Sequence, residues 1–487
     1  MKYRRIILIA FIVLVGASII YALMDKRTVT TSSEKAYQAY LQGDDLANRF
    51  YQQEALHEFE RAAKIDPSFA MAFARMAWLY KTFDRQKEYL EAKNRTLSLI
   101  DRVTDKEKLI INVGFARADD RSADLERYSK ELMDKYPDSV EAHEILSETY
   151  LIQRNYDKVI EENLVILKKK PNYAQSYNLL GYAYFYKGEY EKALEYIDKY
   201  SSMAPDQANP HDSHGEMLLN MGRYDEALVQ FRTADSIKSG LYFVVAHLGD
   251  TYCAKGMYRD AIGAYLKARD LGPNEKYKVT MDGNIAMCYM ENKQFEKAAS
   301  VLQEAISKVP DDLRCNGLLG GADVEQGKMD DALVQLGIVK GIAARLKMPQ
   351  DTSDKNLAQM MGAEHYLVAK IAMSRGEYAT AVTNFENLYE HSMVPERVFY
   401  AAFLGDALVK AGLVDSAIAI MTGALKDNPN SNFCLRALAD AYGKAGRRDA
   451  QKETLARYLE VMKDADDGNP FIEQASTQLE QLTRSNS

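Results

Sequence analysis

The sequence predicts an all-α protein: an α-solenoid of about ten helix-turn-helix repeats behind one N-terminal transmembrane helix. Three observations carry this prediction. A small residue recurs at positions 147, 181, 215, 249, 286, 320, 369, 405 and 439, mostly in steps of 34. A second small residue follows 12 positions later, as in Gly181/Ala193, Gly215/Ala227 and Gly249/Ala261. Ahead of the repeats, Ile6 to Met24 form an apolar run broken only by Gly16 and Ser18.

The 487 residues are 47% hydrophobic and 27% charged, the composition of a folded protein. Lys and Arg number 62 against 70 Asp and Glu, a net charge of −8 that argues against nucleic acid as the main partner. A phosphate footprint needs an excess of basic residues. Four cysteines without a CxxC exclude a disulfide scaffold.

The apolar run is 19 residues long, and as a helix it rises about 28 Å, close to hydrocarbon thickness. Lys2, Arg4 and Arg5 flank one side and Asp25, Lys26 and Arg27 the other. The positive-inside rule places the N-terminus in the cytoplasm and the body outside. A cleaved signal peptide and a buried soluble helix are the competing readings. Tyr21 to Met24 make a poor cleavage site, and no nearby cysteine offers a lipoprotein anchor. The polar stretch Thr28 to Ser33 reads as a tether.

Each repeat then follows one plan. In the segment starting at Tyr177, Gly181 follows Leu180, Tyr184 comes three later, Gly188 and Tyr190 mark a turn, and Ala193, Ile197 and Pro205 follow. Two antiparallel helices approach closely only where side chains are small, which puts Gly181 opposite Ala193. Glycines 188, 222, 256, 327, 376, 412 and 446 fall where a first helix ends in a left-handed cap. Prolines 67, 171, 205, 273, 310 and 429 stop the second helices.

These residues resemble the tetratricopeptide repeat, with its W-x2-L-G-x2-Y…A-x3-F…P pattern and 34-residue period. The resemblance implies stacked helix pairs forming a right-handed superhelix whose first helices line a concave face that binds peptides. Between Lys81 and Asp138 the register is lost, although amphipathic helices continue, and between Leu336 and Ala363 the step grows to 49 around MPQDTSDKN. The expected organisation is therefore a cytoplasmic N-terminus at 1–5, an anchor at 6–24 and a linker at 25–33. An irregular repeat region follows at 34–138, a regular array at 139–345, an insertion or hinge at 346–362 and a C-terminal array with its cap at 363–487. A looser likeness, over Ser32 to Tyr150, is to the tetratricopeptide regions that follow kinase or winged-helix domains in bacterial regulators. No kinase motif accompanies it here.

The residues offer no chemistry of their own. His211 and His214 are spaced HxxH, one short of the zincin pair, and His143 and His365 share the place of His211, a packing habit rather than a metal site. Cys253 and Cys288 lie in neighbouring first helices with side chains expected roughly 160–200° apart, so pairing is not expected. Cys315 and Cys434 share a place in distant repeats. The glycines are spaced by the repeat, which removes them as evidence for nucleotide binding. No enzyme activity, cofactor, metal or small-molecule substrate is expected.

Two rows are expected to face the groove. The residue after each small one gives Glu148, Tyr182, Glu216, Asp250, Met287, Gly321, Lys370, Asp406 and Asp440. The residue three before it gives Glu144, Asn178, Asp212, Ala246, Gly283, Gly317, Tyr366, Ala402 and Arg436. The binding candidates are Glu144, Glu148, Asp212, Glu216 and Asp250 with Tyr182, Phe185 and Tyr186 between them, a surface suited to a basic or amphipathic protein segment. The place two before the small residue holds Asn only at Asn284, so the chaperone-tail clamp of some relatives does not carry over. The expected function is a membrane-anchored scaffold or adaptor outside the cytoplasmic membrane. The alternative is a cytosol-facing regulatory subunit of a separate kinase or transcription factor.

Overall fold

The computed structural model describes residues 28–346 and 362–484. They are built from helices joined by turns and divide into two compact units between Ala142 and His143. The expected anchor at Ile6 to Met24 and nearly all of the expected insertion at 346–362 lie outside the described residues. No described helix is long and apolar enough to cross a membrane.

The first unit pairs α1 (Glu34–Asn48) with α2 (Gln52–Ile65), α3 (Ala70–Thr82) with α4 (Gln86–Ser98), and α5 (Asp105–Ala118) with α6 (Ser122–Lys135). The second pairs α7 (Val140–Ile152), which begins just before the division, with α8 (Tyr156–Lys169), α9 (Ala174–Tyr186) with α10 (Tyr190–Met203), and α11 (Ala208–Asn220) with α12 (Tyr224–Ile237). It continues with α13 (Tyr242–Ala254) and α14 (Tyr258–Leu271), α15 (Glu275–Glu291) and α16 (Phe295–Lys308), and α17 (Leu313–Glu325) and α18 (Met329–Leu346). The last pairs are α19 (Gly362–Arg375) and α20 (Tyr378–His391), α21 (Val394–Lys410) and α22 (Val414–Asp427), and α23 (Asn432–Lys444) and α24 (Arg448–Val461), closed by α25 (Pro470–Arg484). The described residues thus hold twelve pairs where the sequence pattern predicts about ten.

The extra pairs come from the stretch where the sequence register fades. Each pair turns through one residue of positive φ, and these fall at Phe50, Asp84, Asp120, Arg154, Lys293 and the seven expected glycines. The turn geometry is the same with or without glycine: Glu189 N–H reaches Tyr184 O at 2.9 Å, and Arg85 N–H reaches Tyr80 O at 2.8 Å. A non-glycine residue in this conformation costs roughly 1–2 kcal/mol, which packing of the pair offsets.

Close approach of the two helices has a different partner from the one expected. A Cβ at Gly215 would lie 2.6 Å from the Phe231 ring, one at Gly249 2.7 Å from Tyr265, and one at Gly181 2.6 Å from Ile197. Each glycine therefore makes room for the large residue sixteen on, while Ala193, Ala227 and Ala261 are simply fully buried. Where the small residue is Ser147, the place sixteen on holds Asn163, whose Nδ2 donates to the Ser147 hydroxyl at 2.6 Å. The first unit obeys the same rule, with Gly43 against Phe59.

Each of the six prolines stands two residues beyond a second helix, as Pro205 does beyond Met203. The histidines at the shared place each bond a residue nineteen on through Nδ1: His143 with Glu162 at 2.6 Å, His211 with Gln230 at 2.8 Å and His365 with Asn384 at 2.8 Å. Cys253 and Cys288 are free but not apart; they join one core cluster and their thiols are in hydrogen-bonding contact. They do not form a disulfide, as expected, but neighbouring first helices pack through different faces, so side chains that point opposite ways on their own helices still meet.

The expected tether is also partly structural. Thr30 donates to Glu107 through its N–H at 2.7 Å and its hydroxyl at 2.6 Å, and Thr31 donates to Asp66 at 2.6 Å. Val29 is buried, and Ser33 caps α1 by accepting from Ala36 N–H. The sequence alone reads this stretch as a tether because the carboxylates that hold it, Asp66 and Glu107, are far along the chain.

Candidate binding face

All eight candidate residues lie in the second unit, on the first helices of four successive pairs. The residue after each small one points about 100° round the helix from the glycine contact and so emerges beside the packed seam. At this place Glu148, Tyr182, Glu216, Asp250 and Lys370 are half-buried, while Asp406 and Asp440 are exposed. Residues of this face sense one another across the unit: Tyr186 lies in the field of Glu396, and Tyr400 in that of Arg314. Burial pushes the Tyr400 phenol up to about 12.

The structure links these side chains in order along the array. Tyr156 stacks on Tyr186 with centroids 5.3 Å apart, and Tyr186 on Tyr182 at 6.2 Å. The Tyr182 hydroxyl donates to Glu216 at 2.6 Å. In the next pair Tyr265 passes through the space left by Gly249, and its hydroxyl donates to Asp250 at 2.7 Å. Tyrosine in place of phenylalanine at the packing site thus delivers a donor to the face. Burial raises the carboxyl groups of the half-buried Glu216 and Asp250 above their ordinary values.

Most of the second expected row is covered rather than facing the groove: Asn178, Asp212, Ala246, Gly283, Gly317 and Ala402 are buried, while Glu144, Tyr366 and Arg436 are half-buried. Asp212 and Asn178 are each 4% exposed, and a Cβ at Gly283 would meet Arg314 while one at Gly317 would meet Ala363. The following pair packs over this row, which sequence spacing within one repeat does not reveal. Glu144 remains half-buried and accepts from the Tyr173 hydroxyl at 2.8 Å. Phe185 is likewise a core residue, 3% exposed and packed with Ala193 and Ile197. Asp212 serves the face indirectly, by holding His247.

His247 is the principal residue that sequence reasoning missed. Its Nδ1 lies 2.9 Å from the Asp212 carboxylate, and its ring contacts Phe231 at 5.3 Å between centroids. Burial pulls its pKa down, but Asp212, with Glu216 and Asp250 beyond, reverses this and pushes it up to about 10. A protonated imidazole therefore sits among three carboxylates at neutral pH. Farther along, Lys370 pairs with Glu325, Arg436 with Glu291 at 3.2 Å, and Arg314 donates to Asn284 at 2.7 Å. These three cations are thereby engaged by this chain's own acceptors. The usable signal was charge: His247 stands two places before Gly249 with Asp212, Glu216 and Asp250 at expected face positions of the same and the preceding repeat.

Three tetratricopeptide repeat family models match the chain, over residues 174–207, 284–312 and 366–432. No curated protein sequence matches it. Among solved structures, yeast Tom70 is 14% identical with a TM-score of 0.41, covering 85% of this chain and 96% of its own. The P58(IPK) TPR domain is 18% identical with a TM-score of 0.23, covering 70% of this chain and 98% of its own. MamA is 23% identical with a TM-score of 0.28, covering 33% of this chain and 93% of its own. The matched segments, 174–207, 284–312 and 366–432, are tetratricopeptide repeats, and the helix pairs between them share their geometry.

Proposed function

From an array of tetratricopeptide repeats, we propose that this protein is an interaction scaffold that binds a basic segment of another protein on the inner face of its second unit. The observation that carries the reading is the row Glu216, Asp250, Asp406 and Asp440, one carboxylate on each of four first helices, of which Glu216 and Asp250 are half-buried and raised above their ordinary values by burial. Carboxylates held in this state are stabilised by an incoming cation more than solvated ones are, because the cation replaces missing solvation. The stacked Tyr156, Tyr186 and Tyr182 add aromatic surface for the apolar part of an amphipathic segment.

The scaffold is further proposed to be membrane-tethered, with its body outside the cytoplasmic membrane. The apolar run Ile6 to Met24 and its charged flanks support this. Tethering would concentrate bound partners at the membrane surface. Protease added to intact spheroplasts should cut the body; a body protected while a periplasmic control is digested would reverse the topology in favour of the cytosolic reading.

The binding role is tested by capture from gently solubilised membranes, comparing wild type with a Glu216→Gln, Asp250→Asn, Asp406→Asn variant. These changes keep shape and hydrogen-bond acceptors and remove charge. A partner lost from the variant and cross-linked through Lys or Arg to the inner face supports the proposal. An unchanged partner list removes this face from consideration.

A further inference from the structure

The second unit does not end as an open stack: its last pairs return to the turns of its central ones. At one contact, Asn430 Nδ2 donates to Gly222 O at 2.9 Å and the Tyr224 hydroxyl donates to Asn430 O at 3.1 Å. At the next, Lys255 Nζ lies 2.8 Å from Asp464, and the Asp466 N–H donates to Gly256 O at 3.1 Å. Tyr190 donates to Asp427 at 2.8 Å. Arg436, paired with Glu291, also lies 3.8 Å over the Phe471 ring.

The seam completes local structure on the central side. Met257, the residue before α14, provides no side-chain cap. Asp466 takes its place, accepting from Arg259 N–H at 2.8 Å, so a carboxylate from the far end of the unit caps this helix. Gly222 and Gly256 fit the contact closely: a Cβ would stand 2.3 Å from Asn428 Oδ1 and 2.3 Å from Met462 Cε, respectively. At Gly188, Gly327, Gly412 and Gly446 the same place is open to 4 Å among the described residues.

The contact is largely polar, with Met462 and Ala465 against Gly256 as its apolar part, rather than a continuation of the core. Lys255 is 6% exposed and shared between Asp225 on its own side and Asp464 across the seam. A crevice of about 320 Å³ runs beside it, lined by Arg223, Asp225, Lys255, Asn430, Arg457 and Glu460 among others. On separation Lys255 keeps Asp225, and Asp464 passes to water, so neither charge is stranded. Interfaces of this composition separate more readily than apolar ones, and charge contacts of this kind weaken with salt.

We propose that this seam is a reversible electrostatic latch that closes the second unit and sets access to its inner face; the second clause rests on the binding role proposed above. Hydrogen exchange on the full chain in mild detergent tests it, with wild type compared to Asp464→Lys and to Asp464→Glu. Asp464→Lys should speed exchange about tenfold at the backbone around Gly222, Gly256 and Arg259 and around Asn430 and Asp466, with the helix interiors still protected. Asp464→Glu should match wild type, and about 1 M salt should reproduce the effect of Asp464→Lys. Unchanged exchange under both treatments would overturn the latch, as would an increase spread over all helices, which would make the seam part of the core.

Access is read separately from the association rate of a fluorescent octalysine peptide. Faster association with Asp464→Lys supports gating, whereas equal rates with a demonstrably open seam overturn it. No binding to any variant, with the exchange result intact, sinks the basic-partner reading and with it gating, while leaving the conformational latch standing.

Discussion

The pairs in the stretch from Ala70 to Lys135 and the pair from Ala174 to Met203 form the same helical hairpin from different chemistry. The second uses Gly188 at its turn; the first uses Asp84 and Asp120 at φ of 56° and 55°. Gly181 admits Ile197, whereas in the other stretch Gly114 lies against Trp78, which comes from a neighbouring pair. Both stretches satisfy one geometric requirement, a left-handed residue between two helices in close contact. The repeat consensus is one solution among several, and the hairpin outlives it because packing supplies more energy than the turn residue costs.

Large-to-small changes should treat the two units alike. Phe59→Ala and Phe231→Ala, each removing the ring beside a glycine, should each cost about 3–5 kcal/mol in urea unfolding. A loss under about 1 kcal/mol at Phe59 would show that the first unit is not held by the same contact. The next effect separates the units. His247 is charged in the fold well above its ordinary range, so it stabilises the second unit fully below pH 6.5, and that contribution disappears as pH rises through about 10. The raised carboxyls of Glu216 and Asp250 act with the same sign, since ionising them in the fold becomes a penalty as pH rises. His247→Gln should flatten the decline in stability between those pH values, an effect on the order of 2–4 kcal/mol. An unaltered slope would mean that another group carries it.

Small-to-large changes come third. Gly215→Ala and Gly43→Ala place a methyl against Phe231 and Phe59 and should cost about 1–3 kcal/mol. The turns give the smallest and most specific effect. Asp84→Gly, Asp120→Gly and Arg154→Gly should stabilise by about 0.5–1 kcal/mol, because relief of the left-handed strain outweighs the added freedom of the unfolded chain. Gly188→Ala should move stability the other way by a similar amount. Destabilisation by the three glycine substitutions would show that those side chains do more than occupy a turn.

What could be read in advance follows from the range over which each signal acts. The turn at Gly188 and the stop at Pro205 are local, and both were legible. The hairpins around Asp84 and Asp120 were not, because aspartate in a left-handed turn looks like aspartate in any loop. The row after each small residue depends only on helix periodicity, which placed Glu216 and Asp250 on the face. Asp212 and Phe185 needed knowledge of the adjoining packing, which covers one and directs the other into the core. His247 required three carboxylates from two first helices to be brought together. The bond from Tyr190 to Asp427 bridges 237 positions, and nothing local announces it.

The short strap before α1 bears on how far this molecule could reach. Because Thr30 is fastened to Glu107, only residues 25–29 separate it from the apolar run that ends at Met24. Five residues extend at most about 18 Å. Were that run to span a bilayer, the first unit would be held nearly flush with the lipid headgroups, without a long leash to swing on. Such a molecule could patrol only the layer of solvent against the membrane, and would meet partners that are already there.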